Sequence, residues 1–194
     1  MNMTTTVTLA STSPFRKELL GRLAIPFATA APDVDEAPRA NETAAGLVRR
    51  LSEDKARAIA ANHRGLIIGS DQVATTGNNI LGKPGTHERA FEQLRNLAGK
   101  RVTFQTGLCL LNSETGEAQV DVIPFIVKFR QLGDDQIERY LQQEQPYNCA
   151  GSFKSEGLGI TLFEYMEGGD PTALIGLPLI RLTSMLAQSG IVLP

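Results

Sequence analysis

The segment Leu66-Ile67-Ile68-Gly69-Ser70-Asp71-Gln72 carries the information on which the fold turns. Four apolar or small residues in a row, with no alternation, have the pattern of a strand buried on both faces of a sheet covered by helices. Such a strand delivers Ser70-Asp71-Gln72 at its carboxyl end, where ligand sites lie in sheets of this kind. An aspartate directly after Leu-Ile-Ile-Gly-Ser is costly to place unless it is paired, hydrogen-bonded or bound to a cation. The spacing alone fits an Asx cap on the following turn equally well.

Working outward, residues 41–62 carry Leu47, Val48, Leu51, Ala58 and Ile59 at helical spacing and predict a long amphipathic helix before that strand, with Gly65 after its end. Val7-Thr8-Leu9-Ala10 reads as a short strand. Ser13-Pro14 reads as a cap and first residue of a helix to about Leu23, and Phe27 to Ala31 as a second strand. Pro32-Asp33-Val34-Asp35-Glu36-Ala37-Pro38 is an acidic loop outside the core. Downstream, Gly77-Asn78-Asn79 marks a turn between two short extended pieces, and Gly82-Lys83-Pro84-Gly85 is a further loop. Thr86 caps a helix to Leu97, closed by Gly99. Alternating residues on either side of Ser113 to Gly116 predict a long antiparallel hairpin. Asp134 or Asp135 caps a helix to Leu141, a glycine-rich segment spans residues 150–159, Ile160 to Phe163 returns to strand, and Pro178 starts a terminal helix. The expected architecture is α/β, a mixed twisted sheet flanked by helices, with residues 1–194 forming a single domain of two lobes about a central cleft.

At 194 residues, 42% hydrophobic and 21% charged, the chain can bury a core without staples. A formal charge of -2 with scattered cations gives no field for a long polyanion, so nucleic acid is not an expected partner. Cys109 and Cys149 form no CxxC, and His63 and His87 complete no metal set with them, so both thiols read as core or near-core residues. No basic leader with an apolar run is present and no stretch is long enough to cross a bilayer, so a cytoplasmic protein without membrane partners is expected.

Four features could carry chemistry. Ser11-Thr12-Ser13-Pro14-Phe15-Arg16-Lys17 passes from strand to helix start beside two cations, which fits an anion site and equally a capped helix with solvated basic residues. It is no Walker loop, because GxxxxGK followed by Ser or Thr is absent. Glu36 and Asp71 make an acid pair. Lys55 lies on the apolar stripe with Leu51 and Ala58 or Ile59, and a lysine there either snorkels or reaches a buried anion. Lys83 sits in a tight loop or is simply an exposed turn lysine. No serine-histidine or cysteine-histidine pair favours a nucleophile. Carboxylates, a divalent ion and lysines describe metal-assisted attack of water on phosphate.

Leu9-Ala10-Ser11-Thr12-Ser13-Pro14, Val34-Asp35-Glu36, Asp54-Lys55-Ala56, Gly69-Ser70-Asp71-Gln72, Gly82-Lys83-Pro84, Cys149-Ala150-Gly151-Ser152 and Gly176-Leu177-Pro178, in this order, resemble the Maf nucleotide pyrophosphatases. The resemblance implies a Maf/ITPase-like fold and cleavage of nucleoside triphosphates between the α and β phosphates with a divalent metal, Mg2+ or Mn2+. It makes Asp71 the proton acceptor and Glu36 its companion near the metal. Ser11, Arg16, Lys55 and Lys83 become the phosphate-binding positions. A homodimer is expected from the resemblance alone.

Phe15, Gln72 and Glu156 look like the YceF branch, which hydrolyses 7-methyl-GTP, where the branch acting on dTTP and UTP typically has arginine, threonine and glutamine. A methylated guanine is cationic, so an aromatic face attracts it by about 0.5 to 2 kcal/mol. Glu156 can accept from the guanine N1 and N2 donors. The departure is Phe15, where this branch is expected to carry tryptophan, the stronger stacking partner. A regulator of septum formation that only binds nucleotides is the alternative from another class.

Overall fold

The computed structural model describes residues 6–77 and 79–194, so Asn78 of the expected turn lies outside the described residues. The chain divides into two compact units. One takes the residues up to Gln72 together with Thr106–Ile123 and Asp170–Pro194, and the other takes Val73–Gln105 and Pro124–Gly169.

The first unit begins with β1 (Val7–Ala10), α1 (Pro14–Gly21), β2 (Ala28–Ala30) and α2 (Ala44–Ala60), followed by β3 (Leu66–Thr76), whose residues to Gln72 it contains. β1 is parallel to β2 and to β3, with Thr8 opposite Ile67 and Ala10 opposite Gly69. β5 (Arg101–Asn112) lies next to β3, and β6 (Ala118–Phe129) next to β5. Side chains alternate between two covered faces. Leu66, Ile68, Leu108 and Leu110 pack with Leu19 and Leu20 of α1 and with Leu182, Met185 and Leu186 of α6 (Leu179–Gln188). Ile67, Cys109 and Leu111 pack with Ala56 and Ile59 of α2. The unbroken apolar run follows from this, since neither face meets water. Burying Leu47, Val48, Leu51 and Ile59 contributes about 1.5 to 3 kcal/mol each and fixes α2 on the sheet.

Two glycines set how closely α2 approaches. A Cβ on Gly69 would lie 2.0 Å from the Ser52 carbonyl oxygen, and one on Gly107 would lie 2.1 Å from that of Val48. The helix therefore rests with its backbone against β3 and β5, a proximity that side chains at 69 and 107 would forbid.

The second unit contains the end of β3, paired antiparallel with β4 (Asn79–Leu81), then α3 (His87–Leu97), α4 (Asp134–Glu144) and β7 (Phe163–Glu167), which pairs antiparallel with β6. Its core holds Phe104, Phe129, Phe153 and Phe163 edge to face, with centroids 4.8 to 5.6 Å apart.

Several boundaries differ from those expected. β3 does not end near Gly69: Val73, Thr75 and Thr76 keep it extended to meet β4, so Asp71 is mid-strand and caps no turn. α1 stops at Gly21, before Leu23, and Ala24 turns left-handed at φ +53°. β2 is shorter than Phe27 to Ala31 by a residue at each end. α2 starts at Ala44, because Asn41 is left-handed at φ +60° and Thr43 provides the cap, its side chain accepting from the Gly46 N–H. Ala56, and not Ala58, completes its buried stripe. Gly133 precedes α4, with Asp134 and Asp135 inside the first turn. Leu158–Leu162 coils as a 3₁₀ turn, which moves β7 beyond the expected Ile160 to Phe163 strand.

Candidate functional site

Asp71 belongs to the buried run of β3, and Lys55 projects from the α2 face that Gly69 and Gly107 bring down on the sheet. Lys55 Nζ lies 2.6 Å from Asp71 Oδ1 and 2.7 Å from Glu36 Oε1. Lys55 and Asp71 are only 6% and 8% exposed, so each needs the other, whereas the Glu36 side chain is 63% exposed and supplies the open edge of the cluster. Snorkelling is therefore excluded: the stripe lysine reaches two acids.

Beside it, the β1 to α1 passage folds on its own hydroxyls. Ser13 caps α1 by accepting from the Arg16 N–H at 3.4 Å, and Ser11 Oγ accepts from the Ser13 N–H at 3.1 Å and from Arg16 Nη1 at 3.5 Å. Arg16 Nε donates to the Gly176 carbonyl at 2.9 Å. Burial lowers the arginine pKa from its ordinary value, and the fields of Asp71 and Glu36 push it back up. The guanidinium thus shares its field with both acids, and as an arginine it stays charged. The first unit gathers two cations, two carboxylates and the Ser11 hydroxyl in one place.

A layer of buried polar groups that the sequence reading did not single out holds this cluster. The Ser70 hydroxyl is fully buried and lies 2.8 Å from the Gly107 carbonyl and 2.9 Å from that of Gly176. Asp170 caps α5 (Pro171–Ile175) through the Thr172 N–H and hydroxyl, and its other oxygen accepts from the Ile180 N–H of α6. That double cap fixes the corner bearing Gly176, and hence Arg16. An aspartate before a proline at 170–171 was the signal available in the sequence.

Gln72 turns its amide NH2 to the Ala173 carbonyl at 2.7 Å, the Leu174 carbonyl at 3.0 Å and Thr106 Oγ1 at 3.0 Å. Its donors serve α5. Phe15 is half-buried on the first turn of α1.

Lys83 and Glu156 belong to the second unit, and both are exposed. The Lys83 loop is anchored by Gln93 Nε2 donating to the Gly82 carbonyl at 3.2 Å and by the Gly85 N–H donating to the Tyr147 carbonyl at 2.9 Å. Ser152, buried and left-handed at φ +61°, binds the other end of the same Gln93 amide at 2.5 Å. Glu144 accepts from the Leu158 N–H at 2.7 Å and pairs with Lys154 at 3.3 Å, which shapes the glycine-rich segment around Glu156.

Burial pushes the Cys109 thiol up to about 12 and also raises that of Cys149, as suits inert core and near-core thiols. Among the described residues no group of three or more His, Cys, Asp or Glu could hold a metal, and no helix is long and apolar enough to cross a membrane. Glu36 and Asp71 do present hard oxygens around one lysine. That donor set fits magnesium, which binds through one or two carboxylates and completes its shell with water and substrate phosphates.

The model of the Maf-like protein family matches residues 6–189. This chain belongs to the Maf family. A relative from Nitrosococcus oceani named 7-methyl-GTP pyrophosphatase is 59% identical over 95% of this chain and 94% of its own. One of the same name from Pseudomonas savastanoi is 59% identical over 96% of this chain and 97% of its own. The fold is also that of the Ham1 protein of Staphylococcus aureus, which matches with a TM-score of 0.54 at 13% identity over 95% of this chain and 99% of its own.

Proposed function

We propose that this protein is a pyrophosphatase that hydrolyses 7-methyl-GTP to 7-methyl-GMP and diphosphate, removing a modified nucleotide, with residues 1–194 acting as one Maf-like domain. The observation that carries the reading is the buried Lys55 joined at once to Asp71 and Glu36. A protein that only bound nucleotides would have no use for an acid held ready beside a phosphate-binding cation. The substrate follows from the names of the relatives and from Phe15, Gln72 and Glu156.

In the mechanism, Arg16 and Ser11 hold phosphate oxygens at the start of α1. Lys55 spends two of its three N–H donors on Asp71 and Glu36, and its third is assigned to a phosphate oxygen. Asp71 takes the proton of the attacking water as that oxygen bonds to the α-phosphorus, and the bond to the bridging oxygen breaks to release diphosphate. Glu36 and Asp71 would hold Mg2+ or Mn2+, whose positive charge neutralises the triphosphate and the developing charge. Lys83 is assigned a further phosphate contact, and Phe15 and Glu156 are each assigned to the choice of a cationic base. Gln72 is assigned to base choice through the α5 turn that its NH2 holds rather than by donating that NH2 to the base. A cytoplasmic location and a homodimer belong to the same reading.

Hydrolysis in heavy-oxygen water tests it. Label in 7-methyl-GMP agrees with attack at the α-phosphorus, and label in the diphosphate refutes it.

A further inference from the structure

The acidic loop that brings Glu36 to Lys55 has no ladder of its own, yet besides that contact it is tied to α2 through Arg50. Arg50 Nε lies 2.7 Å from Glu42 Oε1 and Nη2 lies 2.8 Å from Glu42 Oε2, a two-pronged pair. The same Nη2 donates to the carbonyl of Ala37, the residue after Glu36, at 3.1 Å, and Nη1 reaches Asp54 at 3.3 Å. Glu42 Oε2 also accepts from the Arg39 N–H at 2.9 Å. Both side chains are largely covered, at 13% and 12% exposure.

We propose that Arg50 is a positioning residue for Glu36: gripping Ala37 and Glu42 together, it holds the loop so that the Glu36 carboxylate meets Lys55 and, on the reading above, the divalent ion. Every guanidinium nitrogen has a partner, and the fork is planar, so a lysine cannot reproduce the grip. Arg50 holds Glu42 well below the usual carboxylate range, at about 2, so the pair stays charged at any working pH.

Arg50→Lys and Glu42→Gln test the grip from its two sides. In the nucleotide-free protein, amide hydrogen exchange at Ala37 and Arg39 should quicken by about tenfold or more while exchange in α2 beyond Asp54 keeps its native rate. The half-saturating magnesium concentration for 7-methyl-GTP hydrolysis should rise by about 10- to 100-fold, as when an outer partner of a metal ligand is lost. The rate at saturating magnesium should largely recover. Native exchange in the loop, or faster exchange throughout α2, overturns the proposal, as does a loss of rate that magnesium does not restore. Failure of the functional reading is distinct: Glu36→Gln would then leave the magnesium dependence native, whatever the loop exchange shows.

Discussion

Lys55 and Asp71 are paired at 2.6 Å between a helix and the middle of a strand, both almost wholly out of water. The pair explains why an acid is tolerated in a run that is otherwise apolar, and the exposed Glu36 gives Lys55 a second partner. Asp71→Asn keeps the shape of the side chain and leaves Lys55 its bond to Glu36, so the fold should survive. Turnover of 7-methyl-GTP should fall by about two to four decades, the usual contribution of a positioned base. Thermal unfolding with steady-state kinetics separates the two effects, and a near-native rate in a folded variant would remove Asp71 from the role of base.

The pairing depends on α2 lying against the sheet backbone. Gly69→Ala and Gly107→Ala each place a methyl group into a carbonyl of α2, which must move away at a cost of about 1 to 3 kcal/mol. Both should lower the urea midpoint and the turnover together, as Lys55 shifts from Asp71. Gly21→Ala, with nothing within 4 Å of the added Cβ, is the control and should be neutral or stabilising. Native stability and rate in Gly69→Ala would show that the close approach is not required.

Much of this was legible in the sequence because it is local. The unbroken run at Leu66 reports two covered faces, Ser13-Pro14 specifies its own cap, and the stripe of α2 was read correctly except that Ala56 faces inward in place of Ala58. The extended pieces beside Gly77 are legible too, and they are the end of β3 and β4. Half-exposed Thr75 and Thr76, however, carry no apolar signal that joins the first piece to the Leu66 run as one strand through Asp71. Ile160 to Phe163 is a short apolar run, which periodicity cannot assign to strand or turn. The Arg50 grip, the Ser70 bridge and the Asp170 double cap join segments whose proximity only the fold supplies. The resemblance selected Glu36 and Lys55 as companions of Asp71, and the geometry gives them a common contact.

Selectivity for the methylated base should respond to the aromatic face at position 15. Phe15→Trp should raise the ratio of 7-methyl-GTP to GTP hydrolysis, because an indole attracts a cation more strongly, and Phe15→Arg should lower it. An attraction of about 0.5 to 2 kcal/mol corresponds to about two- to thirtyfold. Glu156→Gln should lower the same ratio by removing the negative charge. Ratios unchanged in all three would place base recognition elsewhere.

Acid stability should carry the signature of Glu42. Hydrogen bonds from Arg50 lower its pKa from 4.5 to about 2 in the folded protein. A depressed folded pKa means that this contribution is fully present above the unfolded value near 4.5 and is lost as pH falls towards 2. Urea midpoints measured through that window should fall less steeply for Glu42→Gln than for the native protein. Equal slopes would contradict the grip as a source of acid sensitivity.

The measurement that bears most directly on the whole account is diphosphate release by the native protein from 7-methyl-GTP, GTP, dTTP and UTP, with Mg2+ and with Mn2+. The expected result is fastest cleavage of 7-methyl-GTP, dependent on the metal and yielding the monophosphate. Preferred cleavage of dTTP and UTP would contradict the base assignment, and nucleotide binding without diphosphate release under either metal would contradict the catalytic role of the Lys55, Asp71 and Glu36 cluster.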